Sequence, residues 1–188
     1  MNNQSIYKTA LKYGTITGLG NFVFFLLIYF MGKNPLGNWS WLGAWISILL
    51  IILGSKEHRN VDLGGYMTYG RGLGMGTLIT VFGALLFGVL LYSFGNFIDA
   101  GLAQMQIDEF YQGMEQAKKY LSEDKYSKIM ETFEANKSDF NMSKIAIGNF
   151  KIKVLGGFIV SLVTAGILSK KRPMFFEDTT QNDPSDIS

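Results

Sequence analysis

The sequence contains no cysteine. Disulfides, thiol nucleophiles and cysteine metal sites are excluded with it. It contains one histidine, His58, so the multi-ligand spacings of a metal centre are missing as well. Charge is scarce. Asp, Glu, Lys and Arg make up 17% of the chain, and the net charge is only +2. So small a balance gives no electrostatic footprint for nucleic acid. The scarcity is sharpest in four stretches, residues 13–32, 39–55, 72–98 and 154–169, which hold no charged residue at all. Catalysis by ionisable groups is nearly excluded inside them.

What is there is apolar. Mean hydropathy is +0.17, and the 188 residues suffice for one compact domain. A helix crossing the hydrocarbon needs about 20 apolar residues. The first and third stretches meet that length, while the second and fourth sit at its lower bound. Trp39 and Trp41 lengthen the second by anchoring at an interface. The fourth borrows residues 145–153, with Lys151 and Lys153 snorkelling to water. The expected fold class is an all-α membrane protein with four transmembrane helices. The membrane domain covers residues 1–172, and a disordered cytoplasmic tail covers 173–188, where Pro173, Pro184 and several acids fall. The first stretch reads as an uncleaved helix. It exceeds the apolar core of a signal peptide, and Gly32, Lys33, Asn34 and Pro35 follow it in place of a small-residue cleavage site. A last helix lying on the membrane surface would suit Lys151 and Lys153, but residues 154–168 are apolar all round.

Basic residues near helix ends set orientation. With four crossings, Lys8 and Lys12, then Lys56, Arg59 and Arg71, then Lys170, Lys171 and Arg172 all share one side. That side is expected to be the cytoplasm, with both termini in it and the chain in a bacterial inner membrane. The other side receives Lys33 and a long segment, 99–153, which translocates largely regardless of its charge. Within it, residues from about 100 to 140 read as an extracytoplasmic amphipathic helical hairpin between helices three and four. Leu102, Met105, Phe110, Met114, Ala117 and Leu121 recur at mostly helical steps, as do Tyr126, Ile129, Met130 and Phe133. Ser122 is the expected N-cap of the second helix. Met105, Phe110, Met114, Met130 and Phe133 form a candidate partner face. The same residues also suit closing the hairpin on itself or on the membrane helices.

Helices in lipid associate where small side chains let backbones approach. Candidate packing positions are Gly14 and Gly18 in helix one, Gly70, Gly74 and Gly76 in helix three, and Gly157, Ser161 and Ala165 in helix four. Gly70, Gly72, Gly74 and Gly76 look superficially like a phosphate-binding loop. No strand precedes them and no Lys-Ser/Thr follows, so that reading fails.

Asn21 is a candidate intramembrane polar contact, because an unpaired amide at mid-helix is costly. Lys56, His58, Arg59 and Arg71 are candidate cytoplasmic contacts for a lipid headgroup or a partner. His58, between Glu57 and Arg59, is expected in a solvated loop. Gly64 and Gly65 suit a sharp re-entry of the chain. No catalytic, cofactor-binding or metal-binding residue is assigned, and no cofactor is expected.

The order of these features resembles a known family. A basic N-terminus leads into Leu11, Lys12, Tyr13 and Gly14. The run Gly64-Gly65-Tyr66-Met67-Thr68-Tyr69-Gly70-Arg71 opens a glycine-rich helix. After the helical insert, the last helix carries Gly156 to Ala165 and closes on Lys170 and Lys171. Over about residues 5–172 this resembles small inner-membrane proteins of Bacteroidota grouped as a domain of unknown function, the four-one-nine-nine family. The resemblance implies four membrane helices and no catalytic residues. Members are often encoded near envelope glycosyltransferases, and the resemblance implies an accessory role on that ground alone.

The expected function is therefore a non-enzymatic accessory or scaffold subunit, assisting an envelope or glycosyltransferase complex. Its expected partners are membrane lipid and either another protein or a second copy, with no nucleic acid. Two rivals stay open. One is a transporter or channel for a small solute or lipid, using Asn21 and the glycine-lined helices. The other is a lipid-modifying helper acting at the cytoplasmic loop.

Overall fold

The computed structural model describes residues 3–137 and 140–170. Six helices follow in order: α1 (Asn3–Phe30), α2 (Ala44–Glu57), α3 (Tyr69–Phe97), α4 (Leu102–Ala117), α5 (Glu123–Asn136) and α6 (Met142–Leu168). A 3-10 turn, Asn38–Gly43, leads into α2, and a π turn, His58–Asp62, leaves it. The described residues hold no strand, only an isolated bridge between Met67 and Lys170. Four spans are long and apolar enough to cross a membrane: Ser5–Phe30, Asn38–Asp62, Tyr69–Phe97 and Met142–Leu168. This is a multi-pass, all-helical membrane protein. The expected tail at 173–188 lies outside the described residues.

Two helices run well past the charge-free stretches. α1 begins at Asn3 and α6 at Met142. Helical hydrogen bonding does not stop where lipid stops, and a lysine is a good helix former. What starts α6 is Asn141, whose side-chain oxygen accepts the Lys144 N–H at 3.1 Å. Ser122 does occupy the N-cap position of α5, but its hydroxyl makes no capping bond. α1 ends on Gly32, with φ +69°. There the Lys33 N–H reaches back to the Ile28 carbonyl at 3.2 Å, a left-handed cap that glycine adopts without strain. Gly64 and Gly65 also have positive φ, 62° and 91°, and they turn the chain from the π turn toward α3.

α3 is the central helix, with α1 and α6 packed along its length and α2 in contact with all three. α6 runs antiparallel to α3 along a seam of small residues. A Cβ added to Gly76 would lie 2.5 Å from the Ser161 hydroxyl, and one on Gly157 would overlap Thr80. One on Gly72 would meet Ala165 at 3.2 Å. Each four-residue step outward along α3 thus matches a four-residue step back along α6. α1 packs as closely: a Cβ on Gly14 would lie 2.6 Å from Phe82 Cβ, and one on Gly18 2.8 Å from the Gly83 carbonyl. Gly70 and Gly74 are a correction to the sequence reading, since both face open space. Two residues turn a helix by about 200°, so Gly70 and Gly74 sit opposite the face that Gly72 and Gly76 give to α6.

The core forms two clusters. Ala10, Ile51, Met75 and Ile79 fill the end near the termini. Phe25, Phe87, Leu91, Phe94, Leu102, Met142 and Ile145 fill the end bearing α4 and α5. There the Phe25 and Phe94 rings meet edge to face at 5.3 Å. Outside this core, Val23, Leu27, Leu49, Leu85, Val89, Leu155 and Val163 are exposed, as a lipid-facing surface requires. Trp39, Trp41 and Trp45 are also exposed. They cluster at the α4–α5 end, where an aromatic belt marks the interface.

Candidate functional site

Polar side chains concentrate in two layers, one at each end of the bundle. At the termini end, α1 presents Thr9, Lys12 and Tyr13 to the end of α2. The Glu57 carboxylate accepts from Lys12 at 2.9 Å and from the Tyr13 hydroxyl at 2.7 Å. One turn on, Asp62 meets His58 Nδ1 at 2.7 Å and accepts from Thr9 at 3.2 Å. These bonds hold the π turn against α1. His58 is only 3% exposed, which corrects its expected place in a solvated loop. α2 does not fray at Glu57 but widens into the π turn, and that turns the ring inward. Its Nε2 and the neighbouring Ser55 hydroxyl are buried with no bond to protein. Asp62→Ala removes the one bond of the enclosed ring. A melt in detergent is expected to show a loss of about 1.5–3 kcal/mol.

The other candidates of this end do not converge. Lys56 is exposed in the last turn of α2, where a cation suits the helix dipole. Arg59 donates to Asn60 at 2.9 Å and to the Leu168 carbonyl at 3.4 Å, closing the end of α6. Arg71 is half-buried near the start of α3. No bond among the described residues joins Lys56, Arg59 and Arg71 into one headgroup cradle.

Asn21 is buried and fully engaged as a donor. Its amide nitrogen donates to the Thr17 carbonyl at 2.8 Å and to the Ser47 hydroxyl at 3.0 Å. It therefore ties α1 to α2, and its donors are not left over for a solute.

The second layer, at the α4–α5 end, is one that sequence reasoning misses. Glu109 of α4 reaches into the loop between α1 and α2. It accepts from the Asn34 side chain and, at 3.1 Å, from the Asn38 backbone N–H. Asn34 Oδ1 in turn accepts from the Leu36 N–H and from Gln106, both at 3.0 Å. Nearby, the Tyr29 hydroxyl donates to Asp99 at 2.9 Å, and Asp99 also accepts the Gly101 N–H at 2.8 Å. α4 is thus pinned to the loop between α1 and α2, and the turn that precedes it is pinned to α1. A shallow cleft of about 430 Å³ runs between the loop and α4, lined by Lys33, Asn38, Trp39, Asp108 and Gln112 among others.

The five candidate partner-face residues divide. Met105 packs on the core of the membrane domain, and Met114 is buried. Phe110 stacks on Phe133 with centroids 3.8 Å apart. Met130 is half-buried on α5. The Tyr111 hydroxyl donates to Glu134 and accepts from Lys137 at 2.9 Å. That bond holds the Lys137 ammonium above its ordinary pKa range. α5 itself has no buried residue. No group of three or more metal-ligating side chains occurs among the described residues.

A family described as "Protein of unknown function (DUF4199)" matches residues 12–170. Its description names no activity. No curated protein and no solved structure matches the chain.

Proposed function

The chain belongs to the DUF4199 family of proteins of unknown function, and from its own geometry we propose that it is a non-enzymatic accessory subunit of the bacterial inner membrane. Both termini face the cytoplasm, and α4 and α5 lie outside. Lys8, Lys12, Lys56, Arg59, Arg71 and Lys170 gather at the termini end, which supports that orientation.

The observation that carries the reading is the contrast between α4 and α5. α4 is pinned through Glu109 and buries Leu102, Ile107 and Met114. α5 leans on it through the Phe110–Phe133 stack and has no fully buried residue. A firmly based arm, exposed along one face, suits contact with a protein partner. The interior argues against transport, because the α3–α6 seam is closed and Asn21 is satisfied. The enclosure of His58 argues against lipid chemistry at the cytoplasmic loop. Purification from native membranes in a mild detergent tests the proposal. The chain is expected to run above its monomer size with a partner present in fixed ratio. Recovery as a lone monomer contradicts it.

A further inference from the structure

Lys153 lies four residues before Gly157, and so shares the face of α6 that Gly157, Ser161 and Ala165 turn to α3. It is the one charged member of that stripe, and it stands inside the span Met142–Leu168. Its distance from the helix end at Leu168 is about 22 Å, against a hydrocarbon thickness of about 30 Å. Extending the seam register places Ala84 opposite it. The ammonium lies further toward the α4–α5 end, 4.3 Å from the centroid of Phe87. That direction is the one in which side chains of α6 incline.

An aromatic face attracts a cation but does not neutralise it. None of the ion pairs among the described residues includes Lys153. Asp99 and Glu109, acids of that end, are engaged by Tyr29, Gly101, Asn34 and Asn38. Ionisable groups at such depth are costly and take a partner. Lys151, exposed two residues away, stands at the same level but about 200° round the helix, so it does not share the Lys153 face. In the orientation proposed above, both stand on the side where basic residues near helix ends are disfavoured. We propose that Lys153 holds the phosphate of an anionic phospholipid in the leaflet on the α4–α5 side. Phospholipid phosphates are the anions present in every leaflet, and the ammonium already inclines toward them. The site depends on membrane insertion and not on the accessory-subunit reading.

Native mass spectrometry of the purified full chain tests this, with phosphatidylglycerol, phosphatidylcholine and inorganic phosphate as the probes. The wild type is expected to retain phosphatidylglycerol over phosphatidylcholine by about fivefold or more. Lys153→Met should remove that preference, whereas Lys153→Arg and Lys151→Met, the latter on the opposite face of α6, should keep it. The melting temperature of Lys153→Met is expected to match or exceed the wild type, since a charge leaves the bundle, so misfolding is separately visible. Equal lipid retention by wild type and Lys153→Met overturns the proposal. So does competition by inorganic phosphate at the same concentration as lipid. Loss of a co-purifying protein in Lys153→Met with lipid retention unchanged overturns it too, and assigns the lysine to a carboxylate of a partner helix.

Discussion

Gly157→Leu is expected to abolish recovery of folded protein, while Gly156→Leu leaves it intact. The two glycines are neighbours in sequence and have the same helix propensity, so the contrast isolates packing. A Cβ on Gly157 would overlap the Thr80 side chain, whereas one on Gly156 meets nothing within 4 Å. Thr80 cannot easily yield. Its hydroxyl donates to the Gly76 carbonyl at 2.9 Å, and Gly76 is itself pressed on Ser161. Overpacking a tight core costs about 1–3 kcal/mol, and here the clash must also push α3 and α6 apart along their seam. The effect is therefore expected at the top of that range or beyond. Yield of non-aggregated protein by size exclusion, with melting followed by tryptophan fluorescence, reads it. A second pair checks the phase: Gly76→Leu should fail and Gly74→Leu should not. Equal behaviour within either pair would show that the seam is misplaced.

Glu109→Ala is expected to release α4 from the membrane domain without unfolding the four long helices. The carboxylate carries the bonds from the Asn34 amide and the Asn38 N–H, and charge-assisted bonds of this kind contribute about 1.5–3 kcal/mol each. Hydrogen exchange over Leu102–Ala117 should accelerate by about tenfold or more, while exchange over α3 stays unchanged. Gly37→Val should reproduce the effect from the other side, because a Cβ there would overlap the Glu109 carboxylate. If exchange over α4 stays at the wild-type rate in both variants, the loop does not anchor it.

Much of the architecture is legible in the sequence because lipid imposes a simple rule. A helix must satisfy its own backbone and show apolar side chains outward, so stretches without charge mark the spans. Small residues mark the seam, since Gly157, Ser161 and Ala165 repeat at helical spacing. Their partners are half legible. Four alternate glycines, Gly70 to Gly76, offer two faces of one helix, and sequence alone does not say which face meets α6.

The polar layers are hidden for a different reason. Glu109 and Asn34 are far apart in the chain, and a carboxylate on an amphipathic helix looks solvated until the loop it enters is in place. His58 looks like a loop residue because nothing local announces a π turn. Lys153 reads as the flank of an apolar run. The signal that finds it is its four-residue spacing from Gly157, which puts a charge on a packing face.

A role as an accessory subunit rests on α5 being a contact arm, and site-specific photo-cross-linking in intact cells tests that most directly. A cross-linking residue placed at exposed positions of α5, such as Lys128 or Glu131, should yield a discrete heavier adduct containing a second protein. The same residue at Leu85, on the lipid-facing side of α3, should not yield that adduct. Irradiation that leaves the chain at its monomer mass from every α5 position would contradict the account.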